Sequence, residues 1–328
     1  MTVRIGTRAS KLALTQSQQA ADQLAAVGGF PVELVRIKTE GDVRTGSLSQ
    51  MGGTGVFVAA LRDALLENAC DVAVHSLKDL PTGAAPGLTI AATPKRVDVR
   101  DALCARDGLK LADLPAGAKV GTGSPRRAAQ LRAARPDLDV VDIRGNVDTR
   151  LGRVPGLAGN AEDSPGDLDA VVLAAAGLER ISRLDVVTEF FETDVMLPAP
   201  GQGSLAIECR TADAPGQSGS AEGSQGALAQ ALAALNDEDT RLAVTAERAV
   251  LARLEAGCAA PVGAYAYRKG SMLYLEAVVC AVDGSKSVRE KKATDGLTEV
   301  GATLLGIEVA ELLLAAGAAD ITDLAASR

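Results

Sequence analysis

Residues 121–128 read GTGSPRRA, and residues 6–13 read GTRASKLA. Each follows a short apolar run, and each leads into a segment with helical spacing. Both are read as strand ends turning into helices. Ser10 and Ser124 stand where an N-cap is needed, with a side-chain oxygen able to accept from a free backbone N–H of the first turn. Pro125 follows at the first helical position, where its missing N–H costs nothing. Two such junctions more than a hundred residues apart suggest two similar α/β lobes, although so short a likeness does not define a repeat by itself.

Working outward, VRIGT reads as a strand and SKLALTQSQQAADQLAAV as a helix. VELVRIKT is a strand, GVFVAALRDALLEN a helix, and DVAVHS and LTIAAT are strands. AKVGTGS, PRRAAQLRAA, DVVDIRG, NVDTRLGRV and LDAVVLAAAG continue the alternation. Alternating strands and helices predict open, mainly parallel α/β sheets. Residues 155–167 read as a surface loop, and the Gly/Ser-rich stretch 211–226 as a mobile low-complexity segment. The texture then changes. A long amphipathic helix stopped by Gly257, a strand MLYLEAVVCAV and a final helix make a smaller α+β part. The expected division is 1–96 with 203–236 as a first lobe, 97–202 as a second, and 237–328 as the α+β domain.

The chain has 328 residues, enough for two or three domains at about 100–200 residues each. Hydrophobic residues are 47%, but aromatics only 2% with no Trp, so the cores must be Ala, Val and Leu. The net charge of −8 and the scarcity of aromatic stacking platforms disfavour a nucleic-acid partner. Five scattered cysteines without CxxC spacing, and one histidine, argue for a reduced cytoplasmic protein and against a zinc site; no metal is assigned. No apolar run reaches about 18 residues and the start lacks a signal core, so no membrane partner is expected.

Arginine placement points to an anion. Arg126 and Arg127 fall in the first turn of a helix, where the dipole disfavours positive charge by about 0.3–1 kcal/mol each. The same helix start attracts anions. Arg8 lies between the first strand and Ser10, while Arg144 ends a strand with Arg150 a turn later. Open α/β sheets bind ligands at the carboxyl ends of their strands, and guanidinium forks suit carboxylates and phosphates. GGTGVF (52–57) lacks the GK[ST] ending and the GxGxxG spacing of a phosphate loop, and reads as a flexible turn or lid.

DVAVHSLKDLP (71–81) holds the single histidine beside a serine, a lysine and an aspartate. Adjacent His75 and Ser76 on a strand point to opposite faces, so they do not form a triad, and His75 reads as a packed or hydrogen-bonded residue. Lys78 and Asp79 sit past the strand end. Among ligand-binding arginines, an anionic Asp79 suits a ligand that carries carboxylates and develops a cation. Cys258, past a helix end, is either a buried small hydrophobe or an accessible attachment point.

Together these stretches resemble the porphobilinogen deaminase (hydroxymethylbilane synthase) family. The matching segments, in family order, include IGTRASKLAL, TEGD, VHSLKDLP, RRAAQL, RPDL, IRGNVDTRL, AAAGLERI, LPAPGQGSLAIECR, TAERAVLARLEAGC and PVGAYA. The resemblance implies two periplasmic-binding-protein-like lobes with mainly parallel sheets, plus a smaller α+β C-terminal domain. It implies a transferase of tetrapyrrole and haem biosynthesis. Four porphobilinogen molecules are joined head to tail into hydroxymethylbilane, with release of ammonia. It also implies a dipyrromethane cofactor on Cys258 through a thioether, and Asp79 as the catalytic carboxylate. Lys78, Ser10, Ser124, Arg126, Arg127, Arg144, Arg150 and Asp79 match cofactor-binding positions. Arg8, Arg144, Arg150, Arg180, Gln202 and Phe57 match substrate-binding ones. It favours a monomer.

The chemistry is coherent. Loss of ammonia from an aminomethylpyrrole leaves a cation, and a carboxylate ~4 Å away is worth about 1 kcal/mol in water and about 4 at an effective dielectric of ~20. The acetate and propionate of each pyrrole account for the arginines. The chain departs from common members at Gln50 and Thr54, where Lys is frequent, at Val99 and Pro125, and in EAGC where EGGC is usual. The alternative is a non-catalytic binding protein for a small polyanion on the same scaffold, which would carry no covalent cofactor.

Overall fold

The computed structural model describes residues 2–37, 55–157, 166–217, 223–257 and 260–324, with backbone alone at 55–57 and 223–225. Two compact units divide the chain, Met1–Arg96 with Ser204–Leu242, and Val97–Gly203 with Ala243–Arg328.

The first unit carries β1 (Val3–Thr7), α1 (Lys11–Gly28), β2 (Val32–Arg36), α2 (Gly55–Leu66), β3 (Val72–Ser76), β4 (Leu88–Ala92), β10 (Leu205–Arg210) and α6 (Gly223–Leu235). Its sheet runs β2-β1-β3-β10-β4. β1 is parallel to β2 and β3, and β10 is antiparallel to β3 and β4. One face packs Val3, Ile5, Val72 and Val74 against Leu24 of α1 and Leu228 and Leu232 of α6. The other packs Ala73 under Leu61 and Leu65 of α2. Successive residues of β3 thus serve opposite faces, as a pleated strand requires.

The second unit repeats this plan. It contains β5 (Asp101–Ala105), β6 (Lys119–Gly121), α3 (Pro125–Ala134), β7 (Asp139–Val141), α4 (Val147–Leu151), β8 (Ala170–Ala174), α5 (Ala175–Arg180) and β9 (Glu189–Phe190). The order is β7-β6-β8-β5-β9, again with the fourth strand antiparallel to its neighbours. The two junctions read as similar in sequence therefore occupy the same place in two sheets of the same order. Each carries a glycine that packing demands. A Cβ on Gly6 would come within 2.8 Å of Cys70 Sγ, and one on Gly121 within 2.6 Å of Leu168 Cδ1.

The same unit holds α7 (Glu238–Arg253), which begins in the first unit's span, and an antiparallel sheet of β11 (Val262–Lys269), β12 (Met272–Cys280) and β13 (Ser287–Thr294). Helix α8 (Glu299–Ala315) packs on β12 and β13, and α9 (Ala318–Ile321) follows.

Several expectations are corrected in detail. The sequence reading assigns no strand to 101–105, yet β5 is buried along its whole length. With both faces covered it shows no polar alternation to betray it. The sheets are mainly parallel as expected, and the fourth strand of each is the antiparallel exception. The Gly/Ser-rich stretch is helical from Gly223, because Leu228 and Leu232 of the same helix are drawn into the core against α1. Helix α7 ends at Arg253, not at Gly257. Glu255 takes the left-handed conformation (φ 52°), and Ala256 N–H bonds back to Leu251 O at 3.0 Å, closing the helix in the manner of a Schellman motif. Gln50, Thr54, the first half of GGTGVF, the centre of the 155–167 loop and Cys258 lie outside the described residues.

Candidate active site

In the first unit, β1 and β3 are parallel neighbours, so the residues after them share one edge of the sheet. Arg8 follows β1 and is half-buried. Ser10 caps α1 as expected, its Oγ accepting from Ala13 N at 3.3 Å. After β3 the chain makes a 3-10 turn, Leu77–Asp79. Leu77 is buried and donates its N–H to Ser204 O of the β10 approach at 3.0 Å, and Leu80 N–H returns to Leu77 O at 3.1 Å. The buried Leu77 anchors the turn, leaving Lys78 half-buried and Asp79 exposed.

His75 is not part of that exposed edge. It is buried, and its Nε2 lies 3.1 Å from Glu208 Oε2. Arg62 of α2 reaches the same carboxylate through Nε at 3.1 Å and Nη2 at 2.9 Å. Burial pushes the Glu208 carboxyl up, but the bonds from His75 and Arg62 hold it below its ordinary value. The packed, hydrogen-bonded reading of His75 matches this arrangement.

In the second unit β6, β7 and β8 are parallel, and their following residues again share an edge. Ser124 caps α3 by accepting from Arg127 N at 3.5 Å, with Pro125 at the first position. Arg126 and Arg127 are both buried, 3% and 5% exposed, and their partner is Asp101 at the head of β5, which is fully buried. Arg126 Nη1 donates to Asp101 Oδ2 at 2.8 Å and to Leu197 O at 2.7 Å. Arg127 meets Asp101 Oδ1 through Nε and Nη2, both at 2.8 Å, and Nη1 donates to Val172 O at 3.2 Å. Gln202 Nε2 adds a bond to the same Oδ1 at 2.9 Å and one to Val99 O at 2.7 Å. Burial pushes the Asp101 carboxyl up, but the charges of Arg126 and Arg127 outweigh it and hold it far below the usual range.

Arg144 is exposed and pairs with Asp142 at 3.3 Å; Arg150 donates Nε to Gly145 O at 2.8 Å. Burial lowers the Arg150 guanidinium, and the charges of Arg127 and Arg144 lower it further. These four arginines face only two carboxylates in the ion pairs described, Asp101 and Asp142, so the edge keeps a positive surplus. Arg180 ends α5, 9% exposed, donating Nη2 to Gly203 O at 3.0 Å. Burial brings it down to about 10, with Glu179 opposing.

The anion expected between Arg126 and Arg127 is thus, in part, the protein's own carboxylate. Asp101 is the residue the sequence reading missed, though a lone acid heading an apolar run marks it. Gln202, matched to substrate binding, spends its amide on Asp101 and Val99. Glu247 was also missed. It is buried on α7 and accepts from Gly201 N at 2.7 Å and Ala266 N at 2.8 Å, tying the turn that bears Gln202 to β11. The Phe57 side chain and Cys258 lie outside the described residues.

The residues fit a polyanionic pyrrole group. Besides the positive surplus, Arg126 Nε is buried and lacks a hydrogen-bond partner among the described residues. Cys70, Cys104, Cys209 and Cys280 are buried, and burial raises each thiol, to about 12 for Cys104 and Cys209 and about 11 for Cys280. No group of metal-ligating side chains occurs among the described residues. No helix among them is long and apolar enough to cross a membrane.

Comparison with known proteins identifies the family. Residues 3–217 match the family model of the porphobilinogen deaminase dipyrromethane cofactor binding domain, and residues 241–315 match the model of its C-terminal domain. The porphobilinogen deaminase of Cutibacterium acnes is 57% identical, covering 99% of this chain and 98% of that one. Those of Leifsonia xyli subsp. xyli and Thermobifida fusca are each 54% identical, over 98% and 99% of this chain and 94% and 97% of theirs. A periplasmic substrate-binding protein of an ABC transporter from Coxiella burnetii is 16% identical with a TM-score of 0.41, over 71% of this chain and 91% of that one. With both family domains matched in order and more than half of its residues shared with full-length relatives, the chain belongs to the porphobilinogen deaminase family.

Proposed function

We propose that Asp79 is the catalytic carboxylate of this family member and that its arginines hold the carboxylates of pyrrole rings. The activity is that of the family. Four porphobilinogen molecules are joined head to tail into hydroxymethylbilane, and ammonia is released at each joining. The observation that carries the assignment of roles is the division of charge. The strand ends of the second unit bear a surplus of guanidinium groups, and the turn after β3 bears one exposed carboxylate.

When bound, the dipyrromethane supplies the terminal pyrrole carbon to which the first substrate is joined. The protein's own residues do the rest. Arg126, Arg127, Arg144 and Arg150, with Lys78, Ser10 and Ser124, hold acetate and propionate groups of the cofactor. Arg8 and Arg180 serve the incoming substrate, alongside Arg144 and Arg150, with Phe57 completing its site, while Gln202 braces Asp101. As ammonia leaves the aminomethyl carbon, the substrate becomes cationic. The Asp79 carboxylate supplies the counter-charge and accepts hydrogen bonds from pyrrole N–H groups, a type of assistance worth about 10²–10⁴ in rate. Cys258 is the attachment point, in a C-terminal cofactor-attachment domain. The four described cysteines support that choice, because each is buried with a raised thiol pKa. We read the protein as a cytoplasmic monomer.

Intact-mass measurement tests the reading. Wild-type protein should weigh two pyrrole units more than its sequence, and Cys258→Ala should not. An active wild-type enzyme at the bare sequence mass would overturn it, and an unmodified, inactive protein that binds a polyanion would favour the non-catalytic alternative.

A further inference from the structure

We propose that Asp101 is the positioning residue of the arginine pair, its one buried carboxylate fixing the orientation of Arg126 and Arg127 and cancelling one of their two charges. The proposal deepens the reading that this pair holds the cofactor, and rests on it.

Asp101 has no exposed surface, so it meets no ligand itself. Its two oxygens are divided between the two guanidinium groups. Oδ2 takes Arg126 Nη1, and Oδ1 takes Arg127 Nε and Nη2 together with Gln202 Nε2. The backbone carbonyls of Leu197 and Val172 then fix one further N–H on each arginine. Every one of these partners comes from a different part of the unit: β5, β8, the turn before β10 and the segment after β9. Arg127 is thereby held through all three guanidinium nitrogens and Arg126 through two bonds from Nη1, while Arg126 Nε lacks a partner among the described residues.

Stability alone does not call for this arrangement. A buried ion cluster is often matched or exceeded in stability by apolar residues of similar volume. What the carboxylate adds is orientation. Arginine forks bind carboxylates through directed, paired N–H groups, so a rotated guanidinium loses its match. Without a counter-charge two adjacent buried guanidinium groups repel and turn apart. With it they form a unit of one net positive charge, suited to one ligand carboxylate.

The test is a double-mutant cycle on the holoenzyme, comparing Asp101→Asn, Arg127→Ala and the double variant, with Asp101→Glu as the conservative replacement. Holoenzyme fraction by intact mass, kcat and KM are measured for each. Asp101→Asn should lower kcat about tenfold or more with KM within about threefold, because transition-state positioning is lost while substrate binding is not. Asp101→Glu should recover part of the loss. The double variant should be no worse than the poorer single one, as for residues acting as a unit. Wild-type kcat and holoenzyme content in Asp101→Asn, or losses that add in the double variant, overturn the proposal. If Arg127→Ala alone leaves both quantities unchanged, the cofactor-holding reading fails instead. Should Asp101→Asn not fold, Gln202→Leu removes one donor from Oδ1. A fall in kcat at constant KM then supports the proposal, and an unchanged kcat overturns it.

Discussion

His75 Nε2 and Glu208 Oε2 lie 3.1 Å apart inside the first unit, on adjacent antiparallel strands. The single histidine of the chain is thereby engaged in the interior, four residues before the exposed Asp79. His75→Ala should cost about 1–3 kcal/mol of stability, the penalty for leaving a buried polar partner unsatisfied. Chemical denaturation reads that cost. The folded variant's kcat should stay within about threefold of wild type, and a loss of a hundredfold or more would return His75 to the chemistry.

The same pair sets an acid limit. Burial pushes the Glu208 carboxyl up, yet His75 and Arg62 hold it below its ordinary 4.5. A carboxyl whose folded pKa is depressed stabilises the fold fully above its unfolded value and loses that stabilisation as pH falls through the folded one. Urea midpoints should therefore fall below pH 4.5 in wild type. In Glu208→Gln, the midpoint should be lower at neutral pH and should fall less steeply on acidification.

Asp79→Asn should bind substrate but lose about 10²–10⁴ in turnover, because the developing cation loses its counter-charge. Asp79 is exposed and supports no packing, so the melting temperature should not move. Single-turnover ammonia release with normal substrate retention checks this directly. Near-normal turnover would remove Asp79 from its assigned role.

Arg144→Ala should impair cofactor assembly or chain elongation, whereas Lys292→Ala, removing an exposed pair with Glu308 at 2.6 Å, should change neither. Holoenzyme fraction and product analysis distinguish the two. Unchanged holoenzyme and kinetics in Arg144→Ala would make its Asp142 contact its whole role.

Thiol labelling separates the cysteines. In Cys258→Ala, a small alkylating agent at pH 8 should leave the native protein unmodified, since burial holds the thiols of Cys104 and Cys209 near 12 and Cys280 near 11, and raises Cys70 as well. Denaturant should expose all four. Rapid labelling of the native variant would contradict their burial.

What could be read from the chain follows the range of each interaction. Ser10, Ser124 and Pro125 were legible because a cap satisfies N–H groups within three residues. The arginine positions were legible because strand ends and helix starts are local signals. Asp101 was not, since its partners lie 25 and 26 residues away and a further 101, at Gln202. Glu208 likewise makes its bonds across 133 and 146 residues. β5 escaped because burial on both faces erases the alternation by which a strand is recognised. The end of α7 was misplaced at Gly257 because glycine is the usual left-handed closer, and here Glu255 does that work.

The fourth position of each five-stranded sheet is filled by the strand that comes just after the chain changes unit, β5 in one and β10 in the other. During synthesis, β3 and β4 emerge with a gap between them. The strand that fills it is made more than a hundred residues later. β10 also brings Glu208 to His75, and Ser204 just before it receives Leu77, so the turn bearing Asp79 gains these two braces only then. A nascent chain halted near residue 200 therefore holds a finished second sheet and an unfinished first one. On the ribosome, the turn bearing Asp79 is made early but is joined to β10 only after the whole second sheet has been made.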